Sequence, residues 1–444
     1  MTAAAYVAVA IFALVYALIA TDKVDKTKAA LAGATAMLLL GIVDQHTAFH
    51  GSEQVHGIDW NTIFLLIGMM IIVNITRHTG VFEWLAIKSA KLGRGQPIPI
   101  LIGLAAMTAV LSALLDNVTT VLLIAPMVIV IYEALELDPV PFLIFIIMAS
   151  NIGGTSTLVG DPPNIMIASA ARLTFMDFIN VNALIIAIIF VLFALTIWFG
   201  FGPRVHVTEE QRQRVLEFDE SRTITDYRLL RRCLAIIGLT LIGFVIHGRL
   251  GLAPATIALS GAALILLLHP EGPRQVLQEV EWPTIFFFIG LFIMVAGVVN
   301  VGVVALVGRA LVGVTRGQSM ALAMAVLGFS ALASGLIDNI PFVATMTALL
   351  HSVAVSVHPS PETASFVEIV QHPAMMPAWW ALSLGAGLGG NMSLVAASPN
   401  VVVAGIARRA GHPITFKRFL KYGVLLTVPY LAITWLYLWL RFFR

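Results

Sequence analysis

The sequence is poor in cysteine and in charge. Its 444 residues include one cysteine, Cys233, which excludes an internal disulfide bond and any metal site built from several thiolates. Only 11% of the residues are charged, whereas ordinary globular proteins carry about 25%. A net charge of +2 gives no reason to expect nucleic acid as a partner. With 59% hydrophobic residues, the chain is predicted to be an all-α polytopic membrane protein in a lipid bilayer.

Motifs for enzymatic chemistry are also missing. The glycine-rich segments do not match the GxxxxGK[ST] pattern of a nucleotide-binding loop, and no hydrolytic motif is present. The spacing of the histidines suggests no metal site. We therefore expect a protein that is not an enzyme and that needs no cofactor.

Two polar segments interrupt the apolar chain. Residues 150–164 read SNIGGTSTLVGDPPN, and residues 387–400 read GLGGNMSLVAASPN, which aligns without a gap from Asn151 onward. Glycine and proline prevent a continuous helix here. Non-helical backbone at membrane depth is tolerated only where it packs in protein or lines a wet cavity. Matching broken segments in two halves of a chain indicate the binding site of a transporter.

The pairing of these segments is part of an internal repeat. DWNTIFLLIG at 59–68 matches EWPTIFFFIG at 281–290, and LDNV at 115–118 matches IDNI at 337–340, both at an offset of 222 residues. The glycine-rich segments align at an offset of 236. We predict one repeat at 1–202, a second at 233–444, and a polar, arginine-rich cytoplasmic linker at 203–232.

Each repeat is predicted to contain five crossings, a re-entrant hairpin and a broken helix. This gives about ten transmembrane helices, two hairpins and two broken helices, and the odd number of crossings inverts the second repeat. Six of the 26 lysines and arginines then fall on one side of the membrane: Arg172, Arg249, Arg309, Arg316, Arg441 and Arg444. By the positive-inside rule the other side is cytoplasmic, so both termini lie outside a cytoplasmic (inner) membrane.

Carboxylates at the centre of the hairpins are the first functional candidates. Asp116 and Asp338 are each followed by asparagine, and a carboxylate at bilayer depth is functional by default. The alternative is a salt bridge, whose basic partner would have to come from another segment. Asp161 precedes two prolines and serves either as a helix N-cap or as a third proton-exchanging group. Its counterpart is Ala397, so Ser398 is expected to cap the second half.

Amides and hydroxyls around these carboxylates are the candidates for binding substrate. For each serine or threonine, a hydrogen bond back to its own helix is the alternative. The candidates are Asn117, Thr119, Thr120, Asn151, Thr155, Thr157, Asn164, Asn339, Asn391, Ser393 and Asn400.

At these residues the sequence resembles the ion transporter superfamily and, within it, the ArsB/NhaD group of permeases. DNVTT at 116–120, NIGGTSTLVGDPPN at 151–164, DN at 338–339 and SPN at 398–400 carry the resemblance, which is strongest to arsenite permeases and P-protein-like members. It implies an elevator-type carrier, commonly a homodimer. The scaffold would comprise 1–92 and 233–312, and the transport part, with the substrate between hairpin tips and broken helices, 97–200 and 319–444.

The leading hypothesis is proton-coupled efflux of arsenite or antimonite, which are uncharged trihydroxides at neutral pH. Dicarboxylate carriers of the superfamily have Ser-Asn-Thr at the hairpin tips, whereas both tips here read Asp-Asn and would repel a dianion. A sodium/proton antiporter of the NhaD type and a channel-like or anion permease remain as alternatives. The driving force would be a proton gradient, a sodium gradient or a cytoplasmic ATPase subunit.

Overall fold

The computed structural model describes residues 2–21, 24–52, 57–269 and 272–444. Within these residues all regular secondary structure is helical. The N-terminal part contains α1 Ala3–Ala20, α2 Lys26–Leu39, α3 Gln45–His50, α4 Trp60–Arg77, α5 Val81–Leu92, α6 Pro97–Leu114, α7 Asn117–Ala134, α8 Pro139–Gly154, α9 Pro162–Ala171, α10 Phe175–Phe178 and α11 Leu184–Thr196. Two π-helical turns, Ile179–Ala183 and Ile197–Phe201, extend α10 and α11 into one helix over Phe175–Phe201.

The C-terminal part follows a polar connection that holds the short helix α12, Glu209–Leu216. It contains α13 Tyr227–Leu250, α14 Pro254–Leu268, α15 Pro273–Gln278, α16 Trp282–Asn300, α17 Val303–Thr315, α18 Ser319–Leu336, α19 Asn339–Val357, α20 Phe366–Val370, α21 Met376–Gly389, α22 Ser398–Arg409 and α23 Phe416–Phe442. In the described part of the chain, nine helices are long and apolar enough to cross a membrane. The prediction of an all-helical polytopic membrane protein is confirmed.

The interruptions predicted from the sequence are present in the structure. The helix pairs α6–α7 and α18–α19 turn at Asp116 and Asp338, and each aspartate accepts a backbone N–H bond as the N-cap of the second helix. Helix α8 stops at Gly154 before α9 begins at Pro162, and α21 stops at Gly389 before α22 begins at Ser398. The first break is buried throughout and the second is buried or partly buried, in agreement with the requirement that non-helical backbone be shielded from lipid.

Equivalent helices of the two halves pack across the repeat. Helix α4 lies on α14, and its counterpart α16 lies on α2. A methyl group at Gly68 would come within 2.7 Å of the Ala258 backbone, and one at the equivalent Gly290 within 2.8 Å of the Ala30 backbone. These glycines end the two matching stretches of sequence. Their lack of a side chain lets the helices of opposite halves approach closely.

The connection between the halves is docked on the protein. Glu220 forms an ion pair with Lys91 of α5, and Arg214 of α12 pairs with Glu136 after α7 at 2.8 Å. Helix α13 begins at Tyr227, earlier than hydropathy predicts, because Asp226 accepts the N–H groups of Arg228 and Leu229 and so caps it. Residues 227–232 of the predicted linker are therefore helical.

Candidate functional site

The hairpin turns meet the broken segments in the interior of the protein. Helix α7 packs against α22 and, in the equivalent arrangement, α19 packs against α9. At the second turn, the Asn339 N–H donates to the carbonyl oxygen of Ala396 at 3.0 Å. The helix contacts join each hairpin to the helix that follows the break of the opposite half, and the Asn339 bond joins the second hairpin to the break of its own half. The polar residues predicted from the sequence converge at this crossing.

The two broken segments are joined by an amide bridge. The Nδ2 atom of Asn151 donates to the Oδ1 atoms of Asn391 and Asn400, both at 3.0 Å. All three side chains are buried. The bridge links the end of α8 to the second break and to the start of α22, so the two halves form one site.

Two equivalent asparagines fix the shape of the breaks. Asn164 donates to the carbonyl oxygens of Gly154 and Thr157, and Asn400 donates to those of Gly390 and Ser393. These acceptors correspond to one another at the repeat offset of 236. Because their amide nitrogens are occupied in this way, Asn164 and Asn400 hold the backbone open at the break. A direct contact with substrate would have to involve other atoms of the site.

The threonines of the site donate to protein acceptors. Thr155 donates to the carbonyl oxygen of Asn151 at 2.7 Å, Thr157 to that of Ala113, and Thr120 to that of Asp116 at 2.8 Å. Thr119 donates to the Asp116 carboxylate through both its hydroxyl and its backbone N–H. The hydroxyl oxygens retain acceptor capacity. Their role in binding substrate stays a prediction.

Several buried polar atoms of the site have no partner among the described residues. These atoms are both amide atoms of Asn117, Oδ1 of Asn151 and Oγ of Ser393. An unsatisfied buried polar group costs about 1–3 kcal/mol, and native proteins contain few of them. Three such residues at one crossing indicate a place where a polar ligand or water completes the hydrogen bonding.

Three aspartates surround these amides. Asp161 lies beside the Asn117 amide, although the pair does not reach ordinary hydrogen-bond geometry, and it is within electrostatic range of Asp116 and Asp338. Asn339 approaches Asp161 at 3.5 Å. Asp161 occupies the N-cap position of α9, yet its side chain makes no capping bond. The alternative that Asp161 only caps this helix is therefore wrong.

The two hairpin aspartates differ in their surroundings. Asp338 forms an ion pair with Lys26 of α2, with 3.4 Å between Nζ and Oδ2. Within the described residues, no lysine or arginine forms an ion pair with Asp116 or Asp161. The expected cap at Ser398 is also corrected, because its hydroxyl instead contacts Lys26 at 2.8 Å and Asp338 at 3.3 Å.

Sequence reasoning missed Lys26 as a member of the site. Lys26 is the first residue of α2, where the helix dipole disfavours a positive charge. A lysine at this position could have marked Lys26 as functional, but the neighbouring sequence does not indicate that its partner is Asp338. Glu281, at the start of α16, was also missed and lies within electrostatic range of Asp116 and Lys26.

A cavity of about 340 Å³ lies next to the site. Its lining includes Met166 of α9, Ala344 and Thr347 of α19, Val295 of α16 and Asp59 before α4. Met166 follows Asn164 on α9, and Ala344 follows Asn339 on α19. The cavity is therefore lined by α16 together with the two helices that carry the site, and Arg172, which the sequence places on the exterior side, also lines it.

Comparison with known proteins places this architecture in a family. Residues 16–385 match the family model described as citrate transporter. The chain belongs to the citrate transporter family. An uncharacterized transporter of Mycobacterium tuberculosis is 45% identical over 98% of both chains, and the P protein of Mus musculus is 33% identical over 94% of this chain and 58% of that protein. The predicted membership of the ion transporter superfamily is confirmed.

A solved structure supports the fold. The YdaH transporter of Alcanivorax borkumensis matches with a TM-score of 0.54 over 93% of this chain and 95% of that chain, at 13% sequence identity. Agreement at this identity shows the fold alone. Together with the family match, it shows that the chain is a membrane transporter and not an enzyme.

Proposed function

We propose that this protein is a proton-coupled secondary transporter that exports arsenite or antimonite across the cytoplasmic membrane. The observation that carries the proposal is the convergence of Asp116, Asp161 and Asp338 around buried amide atoms that lack partners among the described residues. Carboxylates at membrane depth that face one another are the groups through which carriers exchange protons. In this scheme Asp116, Asp338 and Asp161 bind and release the coupling protons.

The chemistry of the site favours an uncharged solute. The unsatisfied atoms of Asn117, Asn151 and Ser393 can donate to and accept from the hydroxyl groups of a trihydroxide. With its three aspartates ionised, the site has more negative charge than Lys26 offsets, which opposes a polyanion such as citrate. A neutral substrate meets no such barrier.

A sodium/proton antiporter is the second candidate. The observation that favours it is the same group of carboxylates, because oxygen-rich sites bind small hard cations. In that case Asp116 and Asp161 would bind the cation directly, and protons would compete with it. The two candidates differ in whether movement of a metalloid accompanies the movement of protons.

The packing of the two halves supports two further parts of the proposal, the inverted repeat and the elevator mechanism. Crossed packing of α4 on α14 and of α16 on α2 relates equivalent helices of the two repeats, as expected for an inverted repeat. The placement of both termini outside rests on the positive-inside rule. The cavity between α16 and the helices α9 and α19 fits a transport part that moves against a scaffold, as in an elevator mechanism. A homodimer and a docked cytoplasmic ATPase subunit are expectations from the resemblance and from the cytoplasmic linker.

Reconstituted transport tests this proposal. Proteoliposomes with an internal pH dye would be given arsenite, antimonite, sodium and citrate in turn, each with and without a proton gradient. We expect proton-dependent movement of arsenite and antimonite, lost in Asp116→Asn and kept in Asp44→Asn, an exposed aspartate outside the site. Proton movement with sodium alone would establish the antiporter, and proton-driven citrate uptake would overturn the metalloid assignment.

A further inference from the structure

Lys26 contacts both the predicted scaffold and the predicted transport part. Its ammonium group contacts Asp338 at the second hairpin turn and Ser398 at the start of α22. It also lies 5.1 Å from the centre of the Phe287 ring on α16. Helices α2 and α16 belong to the predicted scaffold, whereas the hairpin and α22 belong to the predicted transport part.

A second contact joins the same hairpin to the N-terminal helices. The hydroxyl of Tyr16, on α1, donates to the carbonyl oxygen of Pro341 and is 2.8 Å from the Thr345 hydroxyl. Pro341 and Thr345 lie in the first two turns of α19, directly after Asp338. We call the contacts of Tyr16 and Lys26 with this hairpin the clasp.

The first hairpin has a different environment. Its turn aspartate, Asp116, accepts hydrogen bonds from Thr119 of the same helix. Its electrostatic neighbour from α16 is Glu281, which is acidic and cannot neutralise it. The positive charge of Lys26 therefore attracts the second hairpin to the N-terminal helices. The first hairpin instead faces the negative charge of Glu281.

We propose that Lys26 is the internal counter-ion of Asp338 and that it holds the second hairpin against α1 and α2 until a proton on Asp338 releases it. This inference rests on the proposed proton-coupled transport and adds a positioning residue to it. The step moves one proton from water to the Asp338 carboxylate, and Lys26 stays an ammonium ion throughout. Loss of the carboxylate charge removes the attraction that closes the clasp.

Several other titratable groups lie near Asp338 and Lys26, and each charged one attracts or repels one of these two residues. Asp161 repels a charged Asp338, while Lys26 attracts it. The Tyr16 hydroxyl is within electrostatic range of Asp338 and stays neutral at working pH. Glu281 is within electrostatic range of both Asp116 and Lys26, so it repels the first and attracts the second. Lys26 is the only basic side chain, among the described residues, that forms an ion pair with this group.

Cysteine labelling tests the clasp without any substrate. In a Cys233→Ser background, which removes the single native cysteine, Thr345→Cys would report opening beneath Tyr16. This substitution changes one contact of the clasp and leaves those of Tyr16 with Pro341 and of Lys26 with Asp338 in place. Ser356→Cys, on the exposed surface of the same helix, corrects for the pH dependence of the maleimide reaction. We expect the ratio of the two labelling rates to be low at alkaline pH and to rise as the pH falls.

Variants of Lys26 then decide the inference. Lys26→Met should give a high ratio at every pH, whereas Lys26→Arg and the exchange Lys26→Asp with Asp338→Lys should restore the pH dependence. Lys28→Met, an exposed lysine in the same helical turn, should behave like the parent protein. A ratio in Lys26→Met that follows the parent, or a parent ratio that ignores pH, would overturn the clasp. Normal clasp behaviour without transport of any solute would instead overturn only the proposed function.

Discussion

Asn151 donates its side-chain amide to Asn391 across 240 residues of sequence, and the same nitrogen also reaches Asn400. One residue thereby ties the broken segment of the first half to the break and the following helix of the second. The Oδ1 atom of Asn151 lacks a partner among the described residues, so this side chain both closes the structure and faces the site. We therefore expect both stability and transport to depend on it.

Replacement of Asn151 should be costly for both properties. Asn151→Ala leaves two buried amide oxygens without their donor, a loss of about 1–3 kcal/mol each. We expect a lower unfolding temperature in detergent and no transport in vesicles. Asn180→Ala, at an exposed asparagine on the neighbouring helix, should leave both unchanged. An Asn151→Ala protein with parental stability would mean that the bridge contributes nothing to the fold.

Replacement of Asp161 should separate transport from folding. Asp161→Asn removes no capping bond from α9, keeps an oxygen that can accept from Asn339, and relieves repulsion with Asp116 and Asp338. We expect an unfolding temperature equal to or above that of the parent, with proton-coupled transport reduced to the level of empty vesicles. By comparison, Asp138→Asn breaks a surface ion pair with Arg418 and should transport normally. Full transport by Asp161→Asn would remove Asp161 from the proposed proton path.

Added volume at Gly68 or Gly290 should destabilise the protein to a similar extent. In each case a methyl group meets the backbone of the opposite half at less than 3 Å, and overpacking of this kind costs about 1–3 kcal/mol. Thermal unfolding of Gly68→Ala and Gly290→Ala measures the effect. Gly238→Ala is the matched control, because nothing lies within 4 Å of the added group in the interior of α13. Unequal losses at the two sites would contradict equivalent packing of the repeats.

The docked linker should loosen when its ion pair is lost. The Lys91 ammonium holds the pKa of Glu220 below its usual range, so this contact is present at neutral pH and is lost as the pH falls through that lowered pKa. Glu220→Gln should expose the arginine-rich connection and speed its cleavage by trypsin at neutral pH. Glu217→Gln, on the exposed end of α12, serves as the control and should be cut at the parental rate. Equal cleavage of all three proteins would show that the ion pair does not hold the connection in place.

The sequence by itself determined the helical membrane fold, the interrupted helices and the matching positions of the two halves. These features are readable because glycine, proline and paired polar residues stand out in an apolar chain, and because each acts on its own stretch of backbone. The sequence pattern also selected Asp116, Asp161 and Asp338 and the amides around them. Because both turns read Asp-Asn, it could not show that Lys26 pairs with Asp338 rather than with Asp116.

The tertiary structure alone decided which charges and amides meet. Lys26 and Asp338 are 312 residues apart, and their contact depends on how α2, the second hairpin and α22 pack together. The same packing leaves Asp161 without a capping bond and assigns Asn164 and Asn400 to the support of the breaks. Local sequence fixes where a backbone can bend, whereas the partner of a buried polar group depends on distant helices that exclude water around it.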